Sequence, residues 1–369
     1  MKRYFVDRAA LGRNMELLKQ RAGDATVFGV IKGSGYGLGT VNLATVLCEH
    51  GVDHFAVTSV SEVAALRQAG FETETILMME GTCNRQEIGA LIDCGAILSV
   101  GSGEDALRID AEAKARGVVA EAHIKIDTGM GRYGFLPSGT DTVQSLYDDF
   151  PNIRFTGIYT HFYDACDPKA TRRQFDAFQG VVAAIRAAGQ NPGTVHCCNS
   201  TAFWKYPEMH CDAVRIGSAL LGRVAFSGET GLTRIGECQA EIEEIRTLPA
   251  GHSVGYGAGW VAKRETRTAI LSVGYSNGFA VDRGYDLWRT KDCIRGVARY
   301  LKAWLKRKAL YVTVNGTPCR VLGHVGMVNM VIDVTDCDCQ LGDMAIVDIN
   351  PLVLKDVDVV LSTAGNARG

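Results

Sequence analysis

Hydrophobic and polar positions follow two patterns along this chain, and the change from one to the other divides it. In the first part, short apolar, β-branched runs are each followed by a stretch with helical spacing. "TVFGVIK" (26–32) precedes "VNLATVLCEHG", "HFAVT" (54–58) precedes "SVSEVAALRQAG", "TILMM" (75–79) precedes "RQEIGALIDCG", and "AILSV" (96–100) precedes "GEDALRIDAEAKARG". "EAHIKI" (121–126), "IRFTGIYT" (153–160), "GTVHCC" (193–198) and "DAVRIG" (212–217) continue the series, the second of them leading into "TRRQFDAFQGVVAAIRAAG". Ser59 or Ser61 is placed to cap its helix and Gly70 to end it. Strand–helix alternation implies a parallel sheet with right-handed crossovers. Eight strands is the count of a closed (β/α)8 TIM-type barrel, with a doubly wound open sheet as the alternative, because periodicity does not test closure.

Beyond residue 230 the texture becomes strand–turn–strand, in "ECQAEIEEIRTLPAGHSVGYGAG", "TRTAILSVGYSNG", "ALYVTVNGTPCRVLGHVGMV" and "MAIVDINPLVLKD". The Asn315-Gly316 pair marks a hairpin. The expected organisation is therefore an α/β chain: a barrel over 1–230 and a mainly β domain over 231–369. The second domain is interrupted near 289–308 by a basic helical insertion. In "CIRGVARYLKAWLKRK" (293–308), Ile294, Val297, Leu301 and Leu305 share one helical face beside Arg295, Arg299, Lys302, Lys306, Arg307 and Lys308. Such a helix ordinarily packs its apolar stripe on the domain that carries it. Docking on a membrane surface or a partner is the other use of the pattern.

Composition narrows the function classes. A hydrophobic share of 47% over 369 residues suits a globular enzyme, and a net charge of −2 gives no bulk field for nucleic acid or an anionic membrane. No run approaches the roughly 20 apolar residues that span a bilayer. The opening "MKRYFVDRAALGRNMELLKQ" lacks the apolar core and cleavage site of a secretion signal, so a cytoplasmic location is expected. The twelve cysteines are scattered, with Cys197-Cys198 and Cys337-x-Cys339 the only close pairs. Neither has metal-ligand spacing, and reduced, mostly buried thiols are expected with no metal site.

Barrel enzymes carry their working groups at the C-terminal ends of the strands. Applied here, that rule collects Lys32 from the first strand, Lys125 and Arg132 from the fifth and His161 from the sixth. The seventh adds His196 with Asn199 and Ser200, and the eighth adds Arg215, Gly217 and Ser218. A lone lysine at a strand end ordinarily snorkels to water; five strands delivering polar or cationic groups to one rim is a different matter. "GSGYGLG" (33–39) alternates its glycines strictly, so it is neither GxGxxG nor a P-loop. It offers bare backbone and the Tyr36 hydroxyl, and the loops after strands seven and eight offer the usual phosphate site of such barrels. A phosphate site and an amine at one barrel mouth suggest pyridoxal 5'-phosphate, whose aldehyde needs a lysine.

On these residues the chain resembles the alanine racemases, pyridoxal-phosphate enzymes of fold type III. "VIKGSGYGLG", "HIKIDTGMGRYGF", "YTHF", "CNS", "AVRIGSALLG", "VGYGAGW" and "VGYSNG" carry the resemblance over nearly its whole length. The resemblance implies an isomerase that interconverts L- and D-alanine and supplies D-amino acid for peptidoglycan. It implies Lys32 as the Schiff-base lysine and one acid/base, and Tyr256 as the other, from the second subunit of a head-to-tail homodimer. Arg215 would meet the pyridine nitrogen, and His161 would contact Arg215 or the ring environment. Tyr36, Ser200, Gly217 and Ser218 would hold the phosphate. Arg132 would contact the phenolic oxygen and the substrate, oriented by a carbamylated Lys125. Tyr275 and the Met327 amide would position substrate.

Two bases on opposite faces are what inversion at one carbon requires. The family's C-M-D-Q reads "GMVN" here, with Val328 in place of aspartate, and Thr363 stands where the family has a C-terminal tyrosine. Both fall in the part that reads the side chain, which leaves serine or a broader amino-acid range open. A degenerate pyridoxal-phosphate-binding protein is the alternative outside catalysis.

Overall fold

The computed structural model describes residues 1–281, 288–306 and 308–362. The chain divides into two compact units, one of Asp7–Ile235 and one of Met1–Val6 with Gly236–Ser362. The boundary thus falls a few residues beyond the expected one. The opening strand β1 (Lys2–Val6), which precedes the barrel in sequence, pairs inside the β unit.

The first unit is built on β2 (Thr26–Val30), β3 (His54–Val57), β4 (Thr75–Met78), β5 (Leu98–Val100), β6 (Ala120–Lys125), β7 (Ile153–Tyr159), β8 (Thr194–His196) and β9 (Ala213–Ile216). All pair in parallel, in the order β4-β3-β2-β9-β8-β7-β6-β5. The two ends meet through a parallel bridge between Leu77 and Ile97, with the Met78 amide donating to the Ile97 carbonyl at 2.9 Å. The sheet is therefore a closed barrel, and the open-sheet alternative is set aside. Each of the eight runs read from the sequence is one of these strands.

The connecting helices start and stop where side chains can satisfy their end groups. Ser59 accepts from the Glu62 amide in a capping box at the head of Val60–Gln68. Asn84, Ser102 and Asp167 cap Arg85–Asp93, Gly103–Arg116 and Pro168–Ala187. Between β6 and β7 lies a helix, Thr140–Asp149, that the polar run "TDTVQSLYDD" signals weakly. No helix follows β9; Arg8–Ala22 precedes β2 instead.

One end of the barrel interior is apolar, from Phe28, Val30, Ala56, Leu77, Ile97 and Ala213. Beside it lie His123, His196 and Tyr159, all buried. His196 is sandwiched between Phe28 (5.5 Å, 14°) and Tyr159 (5.0 Å, 15°). His123 is in register with Gly157 on the next strand, and its ring occupies the space a side chain there would need.

The second unit adds β10 (Gly236–Leu248), β11 (Ser253–Val254), β12 (Trp260–Val261), β13 (Thr266–Leu271), β14 (Tyr311–Val314), β15 (Thr317–Leu322), β16 (Met330–Asp333), β17 (Met344–Val347) and β18 (Asp358–Leu361). β10 pairs with β17 over its first half and, past an irregularity at Ile242–Glu244, with β13 over its second. That double pairing closes the antiparallel sheet on itself. β14 and β15 form the expected hairpin, with Asn315 and Gly316 at φ 47° and 77°.

The basic helix spans Thr290–Leu305. Its expected packing is not observed: Ile294, Val297, Leu301 and Leu305 are exposed and Gly296 alone is buried. Small residues, not the apolar stripe, face the unit. Arg307 and Thr363 lie outside the described residues.

The His123–Gly157 contact makes a stability prediction. An ideal Cβ on Gly157 would lie 2.5 Å from His123 Nε2, whereas one on Gly180, inside Pro168–Ala187, meets open space. Denaturant unfolding should show Gly157→Ala destabilised by about 1–3 kcal/mol from overpacking and Gly180→Ala stabilised by about 0.5–1 kcal/mol. Equal effects would contradict this packing.

Candidate active site

The C-terminal ends of the barrel strands surround a cavity of about 330 Å³. Lys32, Tyr36, Lys125, Arg132, His161, Ser200, Arg215, Gly217 and Ser218 all line it, together with Glu80, Tyr159 and Asn199. Of the barrel residues collected at the strand ends, His196 alone is missing from this lining; it lies buried in the barrel interior. The lining cations Lys32, Lys125, Arg132 and Arg215 face a single lining carboxylate, Glu80, so the cavity suits an anionic ligand.

Lys32 enters from β2 and opens a single turn of left-handed backbone. Gly33, Ser34, Gly35 and Tyr36 have φ of 63°, 53°, 62° and 55°, a region where L-residues with side chains are disfavoured and glycine is not. The alternating glycines make this turn possible. It is tied down by Glu62, whose carboxylate accepts from the Ser34 amide (2.9 Å) and from the Thr58 and Ser59 amides (2.9 and 3.2 Å). The turn points Tyr36 at the β9 loop, where a Cβ on Gly217 would overlap the Tyr36 hydroxyl. Burial pushes the Tyr36 phenol up to about 12, so it stays a donor.

The Ser200 oxygen accepts from the Gly217 amide at 3.0 Å and the Ala219 amide at 3.4 Å, which leaves its own O–H to donate. Tyr36, Ser200 and Ser218 therefore gather hydroxyl donors around Gly217, whose own amide is held by Ser200, without an acid among them.

Arg215 is buried on β9. Its guanidinium donates to His196 Nδ1 (2.9 Å) and to the carbonyls of His196 (3.1 Å), Thr160 (2.7 Å) and Cys197 (3.2 Å). Four of its five N–H groups are thereby used; the one on Nε has no partner among the described residues. Because His196 Nδ1 accepts, its Nε2 carries the hydrogen and donates to His123 Nδ1 at 2.9 Å. Burial, with Arg215 next, lowers the His123 pKa to about 3 and holds that of His196 well below the usual range. Both rings are neutral. The imidazole on Arg215 is therefore His196, not His161. His161 lines the cavity instead, its pKa lowered to about 3 by burial and the surrounding cations.

Lys125 donates to the Met79 carbonyl at 3.1 Å and lies over the rings of Tyr133 and Tyr159. Burial and the neighbouring Arg132 and Arg215 lower its pKa to about 8, against a smaller opposing pull from Glu80. The loop carrying Arg132 is wrapped on Asp127, whose carboxylate accepts from the amides of Gly129, Gly131 and Arg132 at 2.8–3.2 Å. Burial alone would raise the Asp127 pKa; these amides outweigh it and hold it down. The Arg132 side chain itself is exposed, over the Tyr133 ring.

The remaining expected residues lie in the β unit. Tyr256 sits in a tight turn and is 83% exposed; Tyr275, Met327 and Val328 are also exposed. The Tyr275 amide donates to the Gly326 carbonyl (3.0 Å), and Ser276 donates to the Met327 carbonyl from its amide (3.0 Å) and hydroxyl (2.7 Å). Gly255 and Gly259 pack against His324. One loop, 323–327, therefore joins the Tyr256 and Tyr275 turns.

A closed parallel barrel with a strand-end lysine, hydroxyl donors and a buried arginine at one cavity defines a barrel enzyme's site for an anionic ligand. Comparison with known proteins agrees with that class. Residues 6–224 match the family model for the alanine racemase N-terminal domain and residues 235–354 that for its C-terminal domain. Alanine racemase 2 of Clostridium acetobutylicum is 30% identical over 287 residues, 76% of this chain and 72% of the relative. The alanine racemase of Methylacidiphilum infernorum is 30% identical over 346 residues, 92% and 81% of the two chains. The crystal structure of alanine racemase from Streptomyces lavendulae superposes with a TM-score of 0.83 at 25% identity, covering 98% and 97%. This chain belongs to the alanine racemase family, whose members depend on pyridoxal phosphate.

Proposed function

We propose that this protein interconverts L- and D-alanine with pyridoxal phosphate, and that Lys32 and the Tyr256 of a second copy move the α-proton. The observation that carries the reading is the donor set of the barrel cavity. Arg215 has one N–H left for a ring nitrogen, Tyr36 and Ser200 have hydroxyls left for a phosphate, and Lys32 brings the amine an aldehyde needs. When bound, pyridoxal phosphate takes up the electron pair left as the α-proton departs.

The chain's own residues divide the remaining work. Tyr36, Ser200, Gly217 and Ser218 hold the phosphate. Arg215 donates to the ring nitrogen, and because a guanidinium does not give up its proton, that nitrogen stays unprotonated. Arg132 holds the ring's phenolic oxygen and the substrate carboxylate. Lys32 takes or returns a proton on one face of the α-carbon, and inversion requires a second carrier on the other face.

Among the lining residues, Lys125 is tied to the Met79 carbonyl at 3.1 Å, and His161 and Tyr159 are poor alternatives for that second role. His161, with a pKa near 3, is too weak a base, and the Tyr159 hydroxyl is bonded to the Met79 carbonyl at 2.9 Å with its pKa raised to about 12 by burial. Tyr256, exposed in a tight turn with Tyr275 and Met327 on the adjoining loop, supports a supply from a partner in a two-fold dimer. Tyr275 then positions Tyr256 and substrate, and the Met327 amide meets the substrate carboxylate. Provision of D-alanine for peptidoglycan follows from the same reading.

An enantiomer-resolved assay tests the activity. L-alanine should yield D-alanine with a higher kcat/KM than L-serine yields D-serine, and Lys32→Ala should abolish both; a preference for serine would overturn the alanine assignment. The shared site has its own test. Lys32→Ala and Tyr256→Phe proteins, each inactive alone, should regain about a quarter of wild-type activity when unfolded and refolded together, since half the dimers carry one intact site. No recovery on mixing would exclude a site built from two copies.

A further inference from the structure

The feature the proposed reaction leaves unused is the helix Thr290–Leu305. At 100° per residue, Ile294, Val297, Tyr300, Leu301, Trp304 and Leu305 fall within an arc of about 140°. These six side chains are between 54% and 73% exposed. The helix turns a different side to its own unit. Gly296 is buried and Asp292 and Ala303 are half-buried, residues with short side chains or none. Along the other border of the apolar arc runs a basic strip of Lys291, Arg295, Arg299, Lys302 and Lys306. Asp292, the one acid of the helix, lies on the inward side and pairs with Arg289 at 2.6 Å and Arg295 at 4.0 Å.

We propose that this helix is a docking surface for an anionic lipid bilayer, lying in the headgroup plane with Ile294, Val297, Leu301 and Trp304 inserted and the basic strip against lipid phosphates. The pairing of a broad apolar face with a cationic border is the chemistry of interfacial helices. A bilayer surface alone offers acyl chains and phosphates side by side. Trp304 and Tyr300 are the residue types that settle at that boundary, apolar in body with a polar tip. A second copy of the same face would cover the apolar arc but offers no anions to the basic strip, since Asp292, the one acid of the helix, lies on the inward side. No helix among the described residues is long and apolar enough to cross a membrane, so the contact is peripheral and salt-sensitive.

Sedimentation of the full chain with vesicles tests this. The protein should pellet with phosphatidylcholine–phosphatidylglycerol vesicles and stay in solution with phosphatidylcholine alone, with loss of binding at high salt. Leu301→Glu with Trp304→Glu, and separately Arg295→Gln with Arg299→Gln and Lys302→Gln, should each weaken binding on the order of tenfold or more. Racemase activity in solution should be unchanged in both, which also reports that they fold. Wild type remaining in solution with both vesicles, or pelleting equally with both, overturns the proposal, as does wild-type binding by either variant. Two further results also overturn it when vesicle binding is absent: a larger assembly in gel filtration that Leu301→Glu with Trp304→Glu dissolves, or capture by an acidic polypeptide.

Discussion

A buried arginine without a carboxylate partner organises the barrel mouth. Arg215 leaves water on β9, and no acid among the described residues pairs with it; carbonyl oxygens of three residues and one imidazole nitrogen accept its hydrogens instead. A buried cation is tolerable only when its donors are satisfied. That requirement fixes the His196 tautomer, which in turn fixes His123. Both imidazoles must remain neutral, since a second positive charge beside the guanidinium in a dry interior would be costly. Phe28 and Tyr159 hold the His196 ring flat, and Gly157 is bare because the His123 ring fills its space. What remains after this network is satisfied is one N–H.

The chemistry of the cavity grows from the same constraint. Its lining is rich in cations and hydroxyl donors, so it suits an anionic ligand, as the proposed cofactor and substrate both are. A barrel mouth presents its groups from below, and of its two lining amines Lys125 is held by the Met79 carbonyl. Inversion at carbon needs a carrier from above. The β unit bears an exposed tyrosine, Tyr256, on a glycine-framed turn, and the proposed reaction draws that carrier from a second copy.

Much of this was legible in the residues, for identifiable reasons. Parallel strands buried on both faces read as continuous apolar runs, so all eight barrel strands stand out, and strand ends of a barrel are where chemistry collects. Lys32, Lys125, His161 and Arg215 follow from that rule alone. The partner of Arg215 did not, because His161 and His196 both end strands and only side-chain direction separates them. His123 lies inside a run whose neighbours are apolar, and nothing in its spacing marks it as polar core. Glu62 carried a signal, the Ser-x-x-Glu of a capping box, but its grip on the Lys32 turn is a tertiary contact. Sequence order puts residues 2–6 with the barrel, whereas pairing with β10 decides where β1 belongs. The apolar stripe of Thr290–Leu305 reads the same whether it faces a core or a surface, so periodicity could not choose.

The central claim is that Arg215 spends its last N–H on a ring nitrogen and thereby keeps that nitrogen unprotonated. The direct measurement is the 15N spectrum of the protein loaded with ring-15N pyridoxal phosphate. The account predicts the shift of a hydrogen-bonded, unprotonated pyridine that does not move between acidic and alkaline buffer within the folded range. A pyridinium shift, with a directly bonded proton on that nitrogen, would contradict it.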